Sequence, residues 1–205
     1  MILDPKNLSQ QECYKILTGS VLPRPIAFVS SMDEAGHSNL APFSFFTIAA
    51  TVPPTLVFCP LRRGPNADRK DTLNNIEKTG EYVVNIVSED FAEAMNSTSA
   101  DFPPETDEFE ISGLTPAGSK MVKPNRVLES PVSFECKLKA IVPAGNDGPG
   151  GGNIIIGEVV MMHIRDEVIE NFRIDLKKIS PLGRLAGNFY CRVTDLFEIT
   201  RPETK

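Results

Sequence analysis

The 205-residue chain has only two histidines and four cysteines, and neither type is spaced for metal or thiol chemistry. Cys13, Cys59, Cys136 and Cys191 lie far apart, with no C-x-x-C pair and no histidine at a zinc-binding spacing, so all four read as ordinary reduced core residues. His37 and His163 have no serine or cysteine partner that the sequence brings near them. A hydrolytic triad therefore has no support, and both read as structural or surface residues. No segment approaches the roughly 18 apolar residues of a membrane helix, and the opening MILDPKNLSQ has neither a basic start nor an apolar run. Bases are outnumbered 21 to 27 by acids, and the net charge of -6 disfavours phosphate backbones and anionic lipid head groups. The expectation is a cytoplasmic protein with no nucleic-acid and no membrane partner.

What is present is the balance of a globular protein, with 41% hydrophobic and 23% charged residues, and a length suited to a single domain over residues 1–205. Ser9-Gln10-Gln11-Glu12 fits a capping box and Gly19 a stop, predicting a helix over 10–18 that buries Tyr14, Ile16 and Leu17. From Pro25 onward the pattern is β: strands are expected at 26–30, 39–48 and 55–59, joined by turns at Asp33–His37 and Val52–Pro54 into a three-stranded meander. Pro42 cannot donate to a ladder and should sit at an edge or a bulge. A helix from Asp71 or Thr72 to about Lys78 is followed by a strand over 81–87, a short helix over 89–96 and an acidic exposed loop over 101–110. Further strands are expected at 132–142, 154–164 and 197–200.

The glycine-rich stretch 145–152 lacks the Lys-Ser/Thr of a P-loop, does not complete G-x-G-x-x-G and precedes a strand, so it reads as a hairpin loop. Residues 61–70, LRRGPNADRK, are different: four bases and one acid lead directly into a helix start at Asp71-Thr72. Free amides at a helix N-terminus favour phosphate, which Lys70, Arg62 or Arg63 could neutralise while Thr72 donates a hydroxyl. The bland alternative is a solvated basic loop. Asp71, anionic itself, reads as a cap that orients Lys70 or the turn. The run Ser38–Phe46 could use the free backbone of an irregular edge, with Asn39 and Ser44, to read a flat heterocycle; equally, its three phenylalanines could be plain core.

PRPIAFVSS at 23–31, GHSNLAPFSFF at 36–46, VPPTLVFCPLRR at 52–63, KDTLNNI at 70–76 and GRLAGNFY at 183–190 together resemble the flavin reductase-like family, over roughly residues 15–200. That family includes flavoredoxin and the flavin reductase components of two-component monooxygenases. The resemblance implies a mainly β protein, a six-stranded Greek-key FMN-binding split barrel with flanking helices, assembled as a homodimer with its FMN sites at or near the subunit interface. Carried over position by position, Ser30, Ser31, Asn39, Ala41, Ser44, Phe45 and Phe46 match segments along the flavin ring and ribityl chain, and Lys70, Asp71 and Thr72 the phosphate end. Arg24 matches an arginine near the cofactor, and Arg184, Leu185 and Gly187 a C-terminal segment that approaches the flavin.

The implied activity is that of an NADH- or NADPH-dependent flavin oxidoreductase holding FMN noncovalently, with no catalytic side chain because the ring carries the chemistry. Electrons would leave to free flavin, a monooxygenase or another electron-transfer partner. The competing expectations are a flavoredoxin-type carrier with little NAD(P)H activity and a non-catalytic FMN-binding module.

Overall fold

The structure, a computed structural model, describes residues 1–202. Its strands are β1 (Ala27–Met32), β2 (Ser38–Phe43), β3 (Phe46–Thr51), β4 (Pro54–Phe58), β5 (Glu81–Ile86), β6 (Pro116–Ala117), β7 (Arg126–Val127), β8 (Val132–Ala144), β9 (Gly152–Ile164), β10 (Ile169–Glu170), β11 (Arg173–Ile174), β12 (Leu182–Arg184) and β13 (Tyr190–Arg192). The α-helices are α1 (Gln10–Ser20), α2 (Asp71–Thr79), α3 (Ala92–Ser97), α4 (Glu108–Ser112) and α5 (Leu176–Ile179).

One antiparallel sheet of seven strands, in the order β2-β1-β5-β8-β9-β4-β3, carries the fold. The expected consecutive pairing is present, since β2 pairs with β1 and β3 with β4, but the expected strand over 39–48 is broken at Ser44-Phe45 and its two halves stand at opposite ends of the sheet order. Only Ser44 and Phe45 separate these two edge strands, so the chain itself joins one edge of the sheet to the other. The Phe45 carbonyl accepts from the Cys59 amide at 2.8 Å and pins that corner to the end of β4. Counted as one bent strand, β2 and β3 make the sheet a six-stranded split barrel. Pro42 lies on the edge strand β2, where a missing donor breaks no ladder.

The barrel interior is filled by Ala27, Val29, Phe43, Leu56, Phe58, Tyr82, Val84, Cys136 and Ile155, and closed at one end by Leu73 and Ile76 of α2. The rings of Phe43 and Phe58, and of Phe58 and Tyr82, lie 5.1 and 5.6 Å apart, within the range of favourable aromatic pairs. Strand β1 is buried on both faces, because its alternate residue Phe28 packs outward with Leu40, Phe91, Met95 and Phe109 beneath α3 and α4. The Tyr82 hydroxyl approaches β9 so closely that a Cβ on Gly157 would stand 1.9 Å from it, which requires glycine there.

Several sequence expectations are corrected. The capping box of α1 is present, but Tyr14, Ile16 and Leu17 are exposed; the helix turns only Thr18 into the protein, so its apolar residues face outward. Among the cysteines only Cys136 is buried, and burial pushes its thiol up to about 12. Residues 197–200 form no strand, since no neighbouring strand offers them a ladder. The acidic stretch 101–110 is not all solvated loop: it enters α4, and Glu108 is buried because it satisfies groups on β2. The glycine-rich stretch is the loop of the long β8–β9 hairpin, as expected.

Glu135 of β8 is fully buried and ties down the segment before β7. It accepts from the amides of Lys120, Met121 and Val122 and meets His163 Nε2 at 2.5 Å. Burial pushes its carboxyl up, but the Lys120 amide, His163 and the Met121 amide outweigh burial and hold it below its ordinary value.

Candidate functional site

The free edge of β2 runs along a groove under α3, α4 and the start of α2. At one end a small cavity of about 50 Å³ is lined by Asn39, Ala41, Arg63, Lys70, Thr72 and Phe102, among others. At the other a cavity of about 150 Å³ is lined by Ile26, Ser44, Met95, Asn96, Arg184 and Tyr190. Both include Pro42 and Ser99, so they are neighbouring parts of one cleft.

The first end is cationic and built on the helix start. Lys70 is the N-cap of α2 and makes no side-chain capping bond; Asp71, expected to cap, instead pairs through its carboxylate with Arg63 Nη2 at 3.3 Å, because it is already the first helical residue. The first turn of α2 thus has no side chain bound over it; the Leu73 amide donates to the Lys70 carbonyl at 3.0 Å, which leaves the Asp71 and Thr72 amides and the helix dipole for an anion. Arg63 Nη1 and Lys70 Nζ converge on Asp101 Oδ1 at 2.8 and 3.2 Å. The Asp101 carboxyl is held below its ordinary value, chiefly by the Arg63 hydrogen bond acting against burial and with help from Lys70.

Behind this end lies a buried polar chain. Thr72 Oγ1 donates to Asn39 Oδ1 at 2.6 Å, Ser31 Oγ donates to the same oxygen at 3.3 Å, and Asn39 Nδ2 donates to Glu108 Oε1 at 3.1 Å. Glu108 Oε2 accepts the Leu40 amide at 2.9 Å, and Asn75 donates to Ser31. Burial pushes the Glu108 carboxyl up, opposed by the Leu40 amide and the Asn39 carboxamide. With every polar atom of the Asn39 side chain engaged, β2, α2 and α4 are locked together, which fixes the cleft floor.

The second end is organised by two arginines. Arg24, buried, donates to the carbonyls of Thr18, Val21 and Leu185 and to Ser44 Oγ, so it ties α1, the β2–β3 corner and the C-terminal segment to one point. Burial pulls its guanidinium pKa down from the ordinary value. A backbone bridge joins Arg24 to Arg184, whose guanidinium lies 4.5 Å from the Tyr190 ring centre and donates to the Gly187 carbonyl. Gly187 takes a positive φ of 58° in the turn between β12 and β13, where glycine carries no Cβ strain.

The residues selected from sequence are therefore distributed unevenly. Asn39, Ala41, Arg63, Lys70, Asp71 and Thr72 meet at the cationic end, and Ser44 and Arg184 at the other. Phe45 lies by Arg24, 5.9 Å from its guanidinium carbon. Ser31 supports the floor, whereas Ser30 is buried and donates to the Asn125 carbonyl at 2.5 Å. Phe46 lines a separate apolar groove. Arg62 reaches Asp147 on the β8–β9 loop, and Leu185 contributes its carbonyl to Arg24. Sequence reasoning passed over Asp101, Glu108, Thr98–Ala100 and Tyr190. The first two lay inside an acidic run whose charge looked like solvation, Thr98–Ala100 carried no local signal, and Tyr190 closes the GRLAGNFY segment without having been singled out.

The family model described as "Flavin reductase like domain" matches residues 18–192. A Halalkalibacterium halodurans protein is 39% identical over 203 residues, covering 98% of this chain and 97% of its own length. The crystal structure of nitrilotriacetate monooxygenase component B from Bacillus cereus superimposes with a TM-score of 0.92 at 36% identity, covering 97% of this chain and 98% of that one. The 2-nitrobenzoate 2-nitroreductase of Pseudomonas fluorescens gives 0.86 at 34% identity, with 98% and 96% covered.

Proposed function

The chain belongs to the flavin reductase-like domain family, and from that premise we propose that it holds FMN noncovalently along the β2 cleft and uses it as an NAD(P)H-dependent oxidoreductase. The observation that carries this reading is the match between the cleft and a phosphorylated, flat ligand. One end has Arg63, Lys70 and an uncapped helix start; the other has Ser44, Arg184 and Tyr190 around a wider opening. At about 50 Å³ the cationic end has the size for one compact anion such as a phosphate.

The chemistry supplied by bound FMN is hydride acceptance from NADH or NADPH and release of electrons to an acceptor. The chain's own part is to bind and orient. Arg63, Lys70 and the Asp71 and Thr72 amides of α2 would neutralise and fix the phosphate. The β2 edge, held rigid by Asn39 and Glu108, positions the sugar-alcohol chain. Arg24 keeps the β2–β3 corner and the Arg184 segment in place. The acceptor is free flavin or a partner enzyme, a reading supported by the Bacillus cereus neighbour being a monooxygenase component.

The decisive experiment is an absorption spectrum of desalted protein after FMN addition, followed by anaerobic NADH and NADPH. Retained flavin that bleaches is the expected result. Retained flavin that neither nucleotide bleaches would sink the reductase reading and leave a carrier.

A homodimer is part of the proposal, supported by uncovered apolar surface. The outer strand β3 is largely exposed, with Ile48 at 68% and neighbouring Val52 at 91%, and it borders an apolar groove of about 640 Å³ that includes Phe46, Leu56, Phe134 and Met162. An uncharged edge strand beside such a groove is an aggregation hazard unless a partner covers it. Sedimentation equilibrium should give twice the 22.5 kDa chain mass, and Ile48→Glu should shift it toward the monomer. A monomeric wild-type protein at micromolar concentration would overturn this part.

A further inference from the structure

The cationic end of the cleft already holds an anion supplied by the chain. Asp101 Oδ1 takes a hydrogen bond from Arg63 at 2.8 Å and another from Lys70 at 3.2 Å, using one oxygen for both. Its side chain is 66% exposed, against 23% and 25% for the two cations, so the carboxylate reaches them from the solvent side. That is the side from which a ligand phosphate would arrive. Asp101 follows directly on Thr98–Ala100 and precedes Phe102, all of which line the same cavity.

The charge count makes this contact consequential. Arg63 and Lys70 carry two positive charges, and Asp71 and Asp101 carry two negative ones that are paired with them. Together the four side chains are neutral, and a neutral cluster has little attraction for a phosphate. Asp71 is fixed in the first turn of α2 and half-buried, whereas Asp101 stands on an exposed connection between α3 and α4. Withdrawal of Asp101 leaves the remaining three side chains, Arg63, Lys70 and Asp71, with one net positive charge beside the uncapped helix start, while Glu108 of the same cavity is turned to Asn39 and the Leu40 amide.

We infer that Asp101 is an internal surrogate for the ligand phosphate, holding Arg63 and Lys70 together in the free protein and yielding them when a phosphorylated flavin binds. It thereby lowers affinity for phosphorylated flavins selectively and favours their release. This rests on the proposed phosphate reading of the Arg63–Lys70 end. The depressed Asp101 carboxyl is consistent with it, since the surrogate stays charged at neutral pH.

The test measures dissociation constants for FMN and for riboflavin, which lacks the phosphate, by flavin fluorescence at low ionic strength with wild type, Asp101→Asn, Asp101→Ala and Lys70→Ala. Both Asp101 variants should tighten FMN binding by about three- to tenfold, the scale of two exposed ion pairs, and leave riboflavin unchanged. Lys70→Ala should weaken FMN alone. If Lys70→Ala weakens FMN while the Asp101 variants do not tighten it, the surrogate is overturned and the phosphate reading stands. Equal tightening of riboflavin would also overturn it, because the effect would not act at the phosphate. If none of the variants changes FMN affinity, the phosphate reading falls and takes the surrogate with it.

Discussion

Replacing Lys70 and Thr72 together with alanine is expected to raise the FMN dissociation constant by about 30- to 800-fold, equivalent to about 2 to 4 kcal/mol. Lys70 contributes a charge to the cavity wall, and on the proposed phosphate reading its loss would remove a charge-assisted hydrogen bond. Thr72 acts differently. Its hydroxyl proton is directed at Asn39 Oδ1, so its loss loosens the floor of β2 as well as removing a polar group from the cavity wall. Thr72→Ser keeps that hydroxyl and should retain most of the affinity; Thr72→Val should not. The measurement is fluorescence titration of FMN, with circular dichroism to show that the variants are folded. An unchanged constant in the double variant would contradict the assignment of this end to phosphate.

Glu135→Ala should cost about 3 kcal/mol of stability, a fall of about 6 to 12 °C in Tm for a chain of this size. The cost arises because three backbone amides, those of Lys120, Met121 and Val122, and the His163 ring all lose their acceptor at once. Glu135→Gln does not restore it, since the carboxamide presents a donor where two oxygens now accept. The same group imposes an acid dependence. Its folded pKa lies below the ordinary value of 4.5, so its contribution is fully present above pH 4.5 and is lost as pH falls through the lower folded value. Denaturant titrations of wild type at pH 7 and pH 4 should differ more than those of Glu135→Ala. Equal pH sensitivity in the two proteins would remove Glu135 from that role.

Much of the fold was legible because local chemistry decides it. The capping box at Ser9–Glu12, the αL stop at Gly80 after α2 and the glycine-rich loop of the β8–β9 hairpin need only neighbouring residues to be read. The basic run before Asp71 was legible as a cationic loop leading into a helix start for the same reason: the two are adjacent in sequence. The family resemblance added the barrel, which no local pattern contains. Exposed Tyr14, Ile16 and Leu17 show the limit of periodicity, since a helical apolar pattern does not say which surface it meets.

What the sequence by itself determined is the capped start of α1, the start and stop of α2, the glycine-rich hairpin loop, and that one loop is cationic. Tertiary structure alone decided that β2 and β3, two residues apart, lie at opposite edges of the sheet, because each pairs with a strand chosen by burial of its own face. It also decided that Asp101 meets Lys70 and that Glu108 meets Asn39, contacts spanning 31 and 69 residues. Acidic residues in one run look alike until folding carries one to solvent-facing cations and buries another beneath β2. Their separate roles follow from dielectric and partners, which sequence proximity does not encode.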